Sequence, residues 1–413
     1  MLILYNFFIR IYTAIIFVFS FFNKKAKQYV EGRKRWKCLL EKVLNKNNEQ
    51  RIWFHCASLG EFEQARNLIE KIKKEISSIK IVLTFSSPSG YEIRKNYEFA
   101  DYVFYLPADT KNNAKNFINL IKPKLVVFIK YEFWHYYLHT LKKRNIETVL
   151  ISAAFRNEQV FFKWYGNFFR KMLYCFTKIF VQDEASKILL NKIGLNKNVL
   201  IAGDTRYDRV FAIAQNKKQL PLIENFLQNN PALIVGSSWQ DDEKIIHQSF
   251  AALPHNWRLI IAPHEISRTN EVKKVFSNAL LYSQLEQTPN VHEYKVLIIN
   301  NIGLLSSLYA YGKIAFIGGG FQKGGIHNIL EPTVFGLPVV FGPVYKKFVE
   351  AATLVNQQLC FSVNNVDECK NIFIKLSSNE NYYQTLHQSL LQFMQQNIGA
   401  TDMVFDYLKE TMK

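Results

Sequence analysis

Apolar and polar positions fall along this chain in two long series of short apolar runs separated by amphipathic stretches. The runs at 51–56, 81–85, 125–129, 148–151 and 179–181 have the length of buried strands, while 62–74 and 133–144 carry apolar positions at helical spacing. Strands that alternate with helices predict a parallel α/β domain. A polar stretch rich in Gln and Asn at 215–230 interrupts the pattern, and a second series follows at 232–235, 258–262, 295–299, 313–317 and 338–341. The expected architecture is α/β: two Rossmann-like domains, 51–215 and 216–413, facing an interdomain cleft, with the last helix available to pack back on the first domain. At 413 residues the chain exceeds one ordinary core, which agrees with that division.

Before the first series lies a different pattern. Residues 2–22 are almost wholly apolar and aromatic, close to the ~20 residues a spanning helix needs. No basic region precedes the run and no small-residue cleavage pattern closes it, so a membrane anchor over 1–23 is expected rather than a cleaved leader. Asn6, Arg10, Thr13 and Ser20 share one helical face, and an Arg at mid-span costs about 2.5–3.5 kcal/mol on insertion scales. A short span and an interfacial anchor both stay open, with a helix packed on the domain as a third reading.

Charge sharpens the membrane reading. The formal net charge is +18, and between Lys24 and Lys46 nine Lys and Arg face only Glu31 and Glu41. A basic linker over 24–50 is expected to meet anionic headgroups on the cytoplasmic side, leaving the two domains in the cytosol. No nucleic-acid-binding module accompanies the charge. The five cysteines are scattered without metal-type pairing, in keeping with a reducing compartment.

In parallel sheets ligands bind beyond the carboxyl ends of strands, so the loops after the apolar runs carry the candidate chemistry. After 313–317 comes Gly318-Gly319-Gly320-Phe321-Gln322-Lys323-Gly324-Gly325-Ile326-His327-Asn328-Ile329-Leu330-Glu331-Pro332, which reads as a phosphate-gripping loop before a helix starting near His327. Spacing excludes a dinucleotide fingerprint, since Lys323 stands at the required glycine, and a Walker loop, since Ile326-His327 replace Lys-Ser/Thr. A plain helix start with Glu331 against the dipole is the simpler alternative.

After the first strand, Ser58 and Glu61 have capping-box spacing, yet Glu61 also stands where a general base would sit, beside Gly60, which leaves room for substrate. Lys130 and Glu132 follow the third run, and Arg206 lies in Gly203-Asp204-Thr205-Arg206-Tyr207-Asp208; such charges can stabilise a departing phosphate or simply form ion pairs. Asp241, Asp242 and Glu243 read as a helix start. With no Asp-x-Asp motif and no zinc-type histidine pairing, metal-independent stabilisation of the leaving group is expected.

Taken in order, these motifs resemble the bacterial Kdo (3-deoxy-D-manno-octulosonic acid) transferases of lipopolysaccharide assembly, which are similar to other two-domain GT-B glycosyltransferases. The likeness runs from Gly32-Arg33-Lys34 through His55-x-x-Ser58-x-Gly60-Glu61, Ser87-Pro88-Ser89-Gly90, Glu132-Phe133-Trp134 and the 203–208 loop to Gly324-Gly325-Ile326-His327-Asn328-Ile329-Leu330-Glu331. It implies CMP-Kdo as co-substrate, no cofactor, and a lipid A precursor as acceptor at the inner membrane. By resemblance Glu61 is the base of an inverting single displacement, Arg206 stands where many members place a transition-state Lys, and Asn328, Ile329, Leu330 and Glu331 hold the nucleotide. Ser58, Gly60 and Glu132 fall on the acceptor side.

The chain departs from the common family pattern at three places. Lys130 replaces an acid, Pro263-His264-Glu265 replaces Pro-Arg-His, and Asn300-Asn301-Ile302-Gly303-Leu304 replaces Asp-Thr-Met-Gly-Glu. Pro263, His264, Ile302, Gly303 and Leu304 are expected to contact CMP in a rearranged way, with Arg268 as a substitute cation. Two other readings stay open: a GT-B enzyme using a UDP-sugar on a lipid-linked acceptor, and a membrane scaffold of the same fold without turnover.

Overall fold

A computed structural model describes residues 1–44, 49–216 and 218–412. Two parallel seven-stranded sheets organise the chain. The first contains β1 (Arg51–Cys56), β2 (Lys80–Phe85), β3 (Tyr102–Tyr105), β4 (Leu125–Ile129), β5 (Glu147–Ala153), β6 (Lys178–Val181) and β7 (Val199–Ile201), in the order β3-β2-β1-β4-β5-β6-β7. The second contains β8 (Ala232–Ser238), β9 (Arg258–Pro263), β10 (Leu280–Leu281), β11 (Val296–Ile298), β12 (Ile314–Ile317), β13 (Val339–Phe341) and β14 (Cys360–Ser362), in the order β10-β11-β9-β8-β12-β13-β14. Strand order therefore reverses between β1 and β4, and again between β8 and β12. Those two switch points are where open sheets of this kind bind ligands.

Contacts divide the chain into one compact unit of Met1–Arg209 with Asn397–Lys413 and another of Val210–Gln396. In the first, alternation along β1 sends Ile52, Phe54 and Cys56 to one face and Trp53 and His55 to the other. The helix Leu59–Glu75 covers the former face with Phe62, Ala65, Leu68, Ile69 and Ile72, joined there by Val404, Phe405 and Leu408 of the C-terminal helix Ala400–Met412. That helix is tied down by Asp208, which accepts the N–H groups of Gly399 and Thr401 at 2.6 and 2.7 Å. Asp208 thus acts as a helix cap supplied from 191 residues away.

The apolar N-terminal run forms the helix Leu2–Phe19, long and apolar enough to cross a membrane by length and composition. Its half-buried positions are Tyr5, Asn6, Ile9, Thr13, Ile16 and Ser20, one stripe that rests on the first unit, while Ile3, Phe7, Phe8, Phe17 and Phe19 stay exposed. Tyr136 Oη donates to Asn6 Oδ1 at 2.7 Å, and Tyr5 donates to Asp109. Asn6, Thr13 and Ser20 of the expected polar face turn inward; Arg10 does not.

The basic linker needs a correction. Arg33 does not face headgroups: its guanidinium lies 3.6 Å over the Tyr29 ring and donates to Leu106 O at 2.8 Å and Ser86 O at 2.7 Å. Gly32 precedes it because a Cβ there would fall 2.2 Å from the Tyr105 ring. The pair is a packing device that pins the linker to the carboxyl ends of β2 and β3. Lys24, Lys25 and Lys27 remain outward.

Candidate active site

Glu61 lies in the first turn of Leu59–Glu75, at the carboxyl end of β1. The capping-box alternative is not what forms: Ser58 occupies the N-cap with no side-chain cap bond, and its hydroxyl donates instead to the Glu61 carboxylate. Beside them Gly60 is exposed, and a Cβ on it would meet only Ser58 Oγ, at 3.8 Å. Behind them, the buried Cys56 thiol is held well above its usual range by burial and then by the carboxylates of Glu61, Glu132 and Glu63. Two candidate carboxylates therefore surround one strand end.

Glu132 reaches this place from the far side of the switch point, in the turn after β4. His55 Nε2 lies 2.7 Å from its Oε2, Trp134 Nε1 donates to the same oxygen at 2.7 Å, and Ser86 Oγ at 3.3 Å. His55 is wholly buried and its Nδ1 lies 2.8 Å from Thr84 Oγ1, which also accepts from Trp53 Nε1 at 2.7 Å. Burial pushes the Glu132 carboxyl up, but its bonds to His55, Trp134 and Ser86 outweigh it and hold it below the usual range. Glu132 is thus an anchored anion that fixes the 130–134 turn. That turn delays the expected helix, which runs His135–Lys143 rather than from 133.

Lys130 opens the turn with φ 63°, a left-handed conformation that costs a non-glycine residue on the order of 1 kcal/mol or more. Its N–H still continues the ladder to Ile151 O at 3.0 Å, so the strain is held by the sheet. The neighbouring Tyr131 phenol is raised, chiefly by burial, with Arg156, Asp183 and Arg206 as smaller electrostatic influences.

Arg206 stands in the first turn of the helix Thr205–Gln215. Asp204 holds its guanidinium through Nε at 2.8 Å and Nη2 at 2.6 Å. Thr205 Oγ1 lies 2.9 Å from Ser152 Oγ and donates to Gln64 O at 2.7 Å, joining Arg206's helix to β5 and to the helix that carries Glu61. Ser152 reaches it because β5 bulges there, with φ 53°. A buried hydroxyl relay therefore sets Arg206 relative to Glu61.

In the second unit the glycine-rich loop works differently from expectation. Gly318 N donates to Gly236 O at 2.9 Å and Gly319 N to Asp242 Oδ2 at 2.8 Å, so these N–H groups are not aimed at a ligand. A Cβ on Gly318 would lie 2.2 Å from Ser237 O, and one on Gly320 would lie 2.4 Å from Gly342 N. These two glycines allow backbones to pass at close range. The helix also starts later than expected, at Leu330, and lasts only to Thr333. Asn328 Oδ1 accepts Leu330 N at 3.1 Å, and its amide donates to Glu331 Oε1 at 3.1 Å.

His264, at the carboxyl end of β9, is stacked between two partners: Trp239 at 4.8 Å and His327 at 4.4 Å between ring centroids. Trp239 Nε1 lies 3.3 Å from His327 Nε2, which closes a three-ring platform over the switch point of β8 and β12. Burial and then His264 push the His327 pKa down to about 4. Ile302 is exposed beside Gly303, whose φ of 92° favours glycine, and Leu304 leads into the next short helix. Pro263 is buried in β9.

Arg268 is the second correction. Its guanidinium forms a two-pronged pair with the buried Glu243 at 2.8 and 2.7 Å, with a further bond to Glu271 at 3.0 Å. A carboxylate 1% exposed demands such a partner, and the cation is consumed inside the unit instead of standing in for a phosphate contact.

Residues 32–209 match the family described as 3-deoxy-D-manno-octulosonic-acid transferase (kdotransferase). The 3-deoxy-D-manno-octulosonic acid transferase of Haemophilus influenzae is 28% identical over 378 residues, covering 87% of each chain. That of Aquifex aeolicus is 27% identical, over 78% of this chain and 85% of its own. Over most of its length this chain is similar to the Kdo transferases. A bifunctional glycosyltransferase/methyltransferase of Fusobacterium nucleatum is also 23% identical over 95% of the chain, which spans only 62% of that longer relative. Among solved structures, the UDP-GlcNAc 2-epimerase of Neisseria meningitidis bound to UDP-GlcNAc superposes with a TM-score of 0.59 at 17% identity, over 88% of this chain and 99% of its own. That likeness shows the GT-B-like, two-Rossmann fold.

In this Kdo transferase-like chain, the structure gathers Ser58, Gly60, Glu61, Lys130, Glu132 and Arg206 at one end of the first sheet, and His264 with the 302–304 and 328–331 loops at strand ends of the second. The sequence pattern marked Asp242 as part of a helix start and His327 as the point where a helix begins, and it gave Trp239 no role; the structure joins Trp239 and His327 in the platform around His264. Asp242 is buried, receives Trp239 N and Gly319 N, and is pushed up to about 6 by burial. Among the described residues no group of three or more His, Cys, Asp or Glu could hold a metal ion.

Proposed function

We propose that this protein transfers Kdo from CMP-Kdo to a hydroxyl of a lipid A precursor at the cytoplasmic face of the inner membrane, with Glu61 as the base. The observation that carries this reading is the state of Glu61: at a strand's carboxyl end, beside the open Gly60, oriented by Ser58 and not spent on a helix cap. A carboxylate so placed accepts the acceptor's hydroxyl proton as that oxygen attacks the anomeric carbon. The new C–O bond forms while the bond to the CMP phosphate breaks; its electron pair leaves with CMP, and the anomeric configuration inverts. Arg206 and Lys130 supply positive charge as negative charge builds on the leaving group. Asn328 and Glu331 hold the ribose, and the His264 platform lies toward the phosphate.

The N-terminal helix supports a membrane-bound acceptor. Its exposed aromatic flank suits acyl chains, while Tyr5 and Asn6 stay hydrogen-bonded to the first unit. A spanning helix would carry those polar partners into hydrocarbon, so the helix lies flat in the interface.

The test is Kdo transfer from CMP-Kdo, generated in situ, to a tetraacyl lipid A precursor. Wild type is expected to be active, and Glu61→Gln to lose roughly 100-fold or more while still binding CMP. Activity retained by the variant would remove Glu61 as the base. An inactive wild type that instead responds to UDP-sugars would move the donor assignment.

A further inference from the structure

The stretch 156–174 of the first unit places large aromatics outward with no role in the site. Trp164 is 90% exposed and Tyr165 53%, their rings in edge contact at 5.4 Å. Their base is rigid. Phe161 is buried against Phe133 of the 130–134 turn at 4.9 Å, and Phe168 stacks on His135 at 4.9 Å and meets Tyr5 of the N-terminal helix at 5.8 Å. The exposed pair therefore stands between the start of that helix, where Ile3 and Phe8 are also uncovered, and the turn that carries Glu132. Arg156, Lys163, Arg170 and Lys171 accompany it, against the single acid Glu158.

Trp and Tyr join an apolar ring to a polar tip and concentrate where membrane meets water, and basic side chains near them attract anionic headgroups. We propose that Trp164 and Tyr165 form a second lipid-contact point that inserts into the headgroup region of an anionic leaflet. The inference rests on the reading that the N-terminal helix lies on a membrane. One helix in an interface leaves its domain free to rotate about the helix axis. A second contact beside it removes that freedom and fixes which side of the first unit, with its Glu61 and Glu132 loops, faces the lipid acceptor.

The experiment uses the full chain with vesicles containing brominated phosphatidylglycerol. Brominated chains quench tryptophans that enter the bilayer, so wild-type emission should fall on binding, and Trp164→Phe should lack the quenched component while sedimenting equally with the vesicles. Trp164→Ala/Tyr165→Ala should lower vesicle partition several-fold, with far-UV circular dichroism unchanged. Equal quenching in wild type and Trp164→Phe overturns the proposal while leaving the helix anchor intact. Wild type that fails to sediment with any vesicle overturns both.

Discussion

Tyr5 donates its phenol to the carboxylate of Asp109, 104 residues further along the chain. The same carboxylate receives the backbone N–H groups of Tyr136 and Tyr137 at 3.0 and 3.1 Å, at the start of the helix that follows the Glu132 turn. One buried acid thus joins the apolar N-terminal helix to the element that positions a candidate site residue.

Tyr5→Phe keeps the ring contacts with His135 and Phe168 but removes the donor. A hydrogen bond to a charged partner contributes about 1.5–3 kcal/mol, so local opening of the N-terminal helix should rise by roughly tenfold or more. Amide exchange across 5–16 reports it; unchanged protection would mean that packing alone holds the helix.

Asp109 also gives a pH dependence with a definite sign. Burial, opposed by its hydrogen bonds, raises its pKa from 3.8 to about 6. Between those values the folded chain holds a proton that the unfolded chain has released, so its contribution to stability is present below pH 3.8 and is lost as pH rises to about 6. The full span is on the order of 3 kcal/mol. Denaturation at pH 4.5 and 7.5 should show wild type losing ground to Asp109→Asn at the higher pH; a constant difference would contradict the assignment.

Arg268→Ala leaves the Glu243 carboxylate buried without its partner. The expected loss is about 3–5 kcal/mol in the second unit. Arg268→Gln/Glu243→Gln, which removes both charges, should recover much of it in urea titrations. A harmless Arg268→Ala would show that the pair is not structural.

Two glycines of the same loop, Gly318 and Gly324, should respond differently. Gly318→Ala drives a methyl to 2.2 Å from Ser237 O and must shift backbone, whereas a methyl on Gly324 meets nothing within 4 Å. Thermal melts should show a large loss for Gly318→Ala and little for Gly324→Ala. Equal effects would refute the close-passage account.

The sequence by itself determined the two series of strands, and with them where the candidate site residues gather, because parallel strands deliver their informative loops to one end. Glu61, Lys130, Glu132 and Arg206 were legible for that reason. The edge strands β3, β7, β10 and β14 were not: β7, β10 and β14 are only three, two and three residues long, and β3 is partly exposed. Tertiary structure alone decided what each charged or glycine residue touches. Arg33 and Arg268 looked like free cations, and Gly318 and Gly319 like ligand-facing backbone, until partners from distant segments claimed them. His55 and Glu132 meet across 77 residues, and Tyr5 and Asp109 across 104. Local periodicity reports which side of an element is buried; it carries no record of the partner that burial then requires.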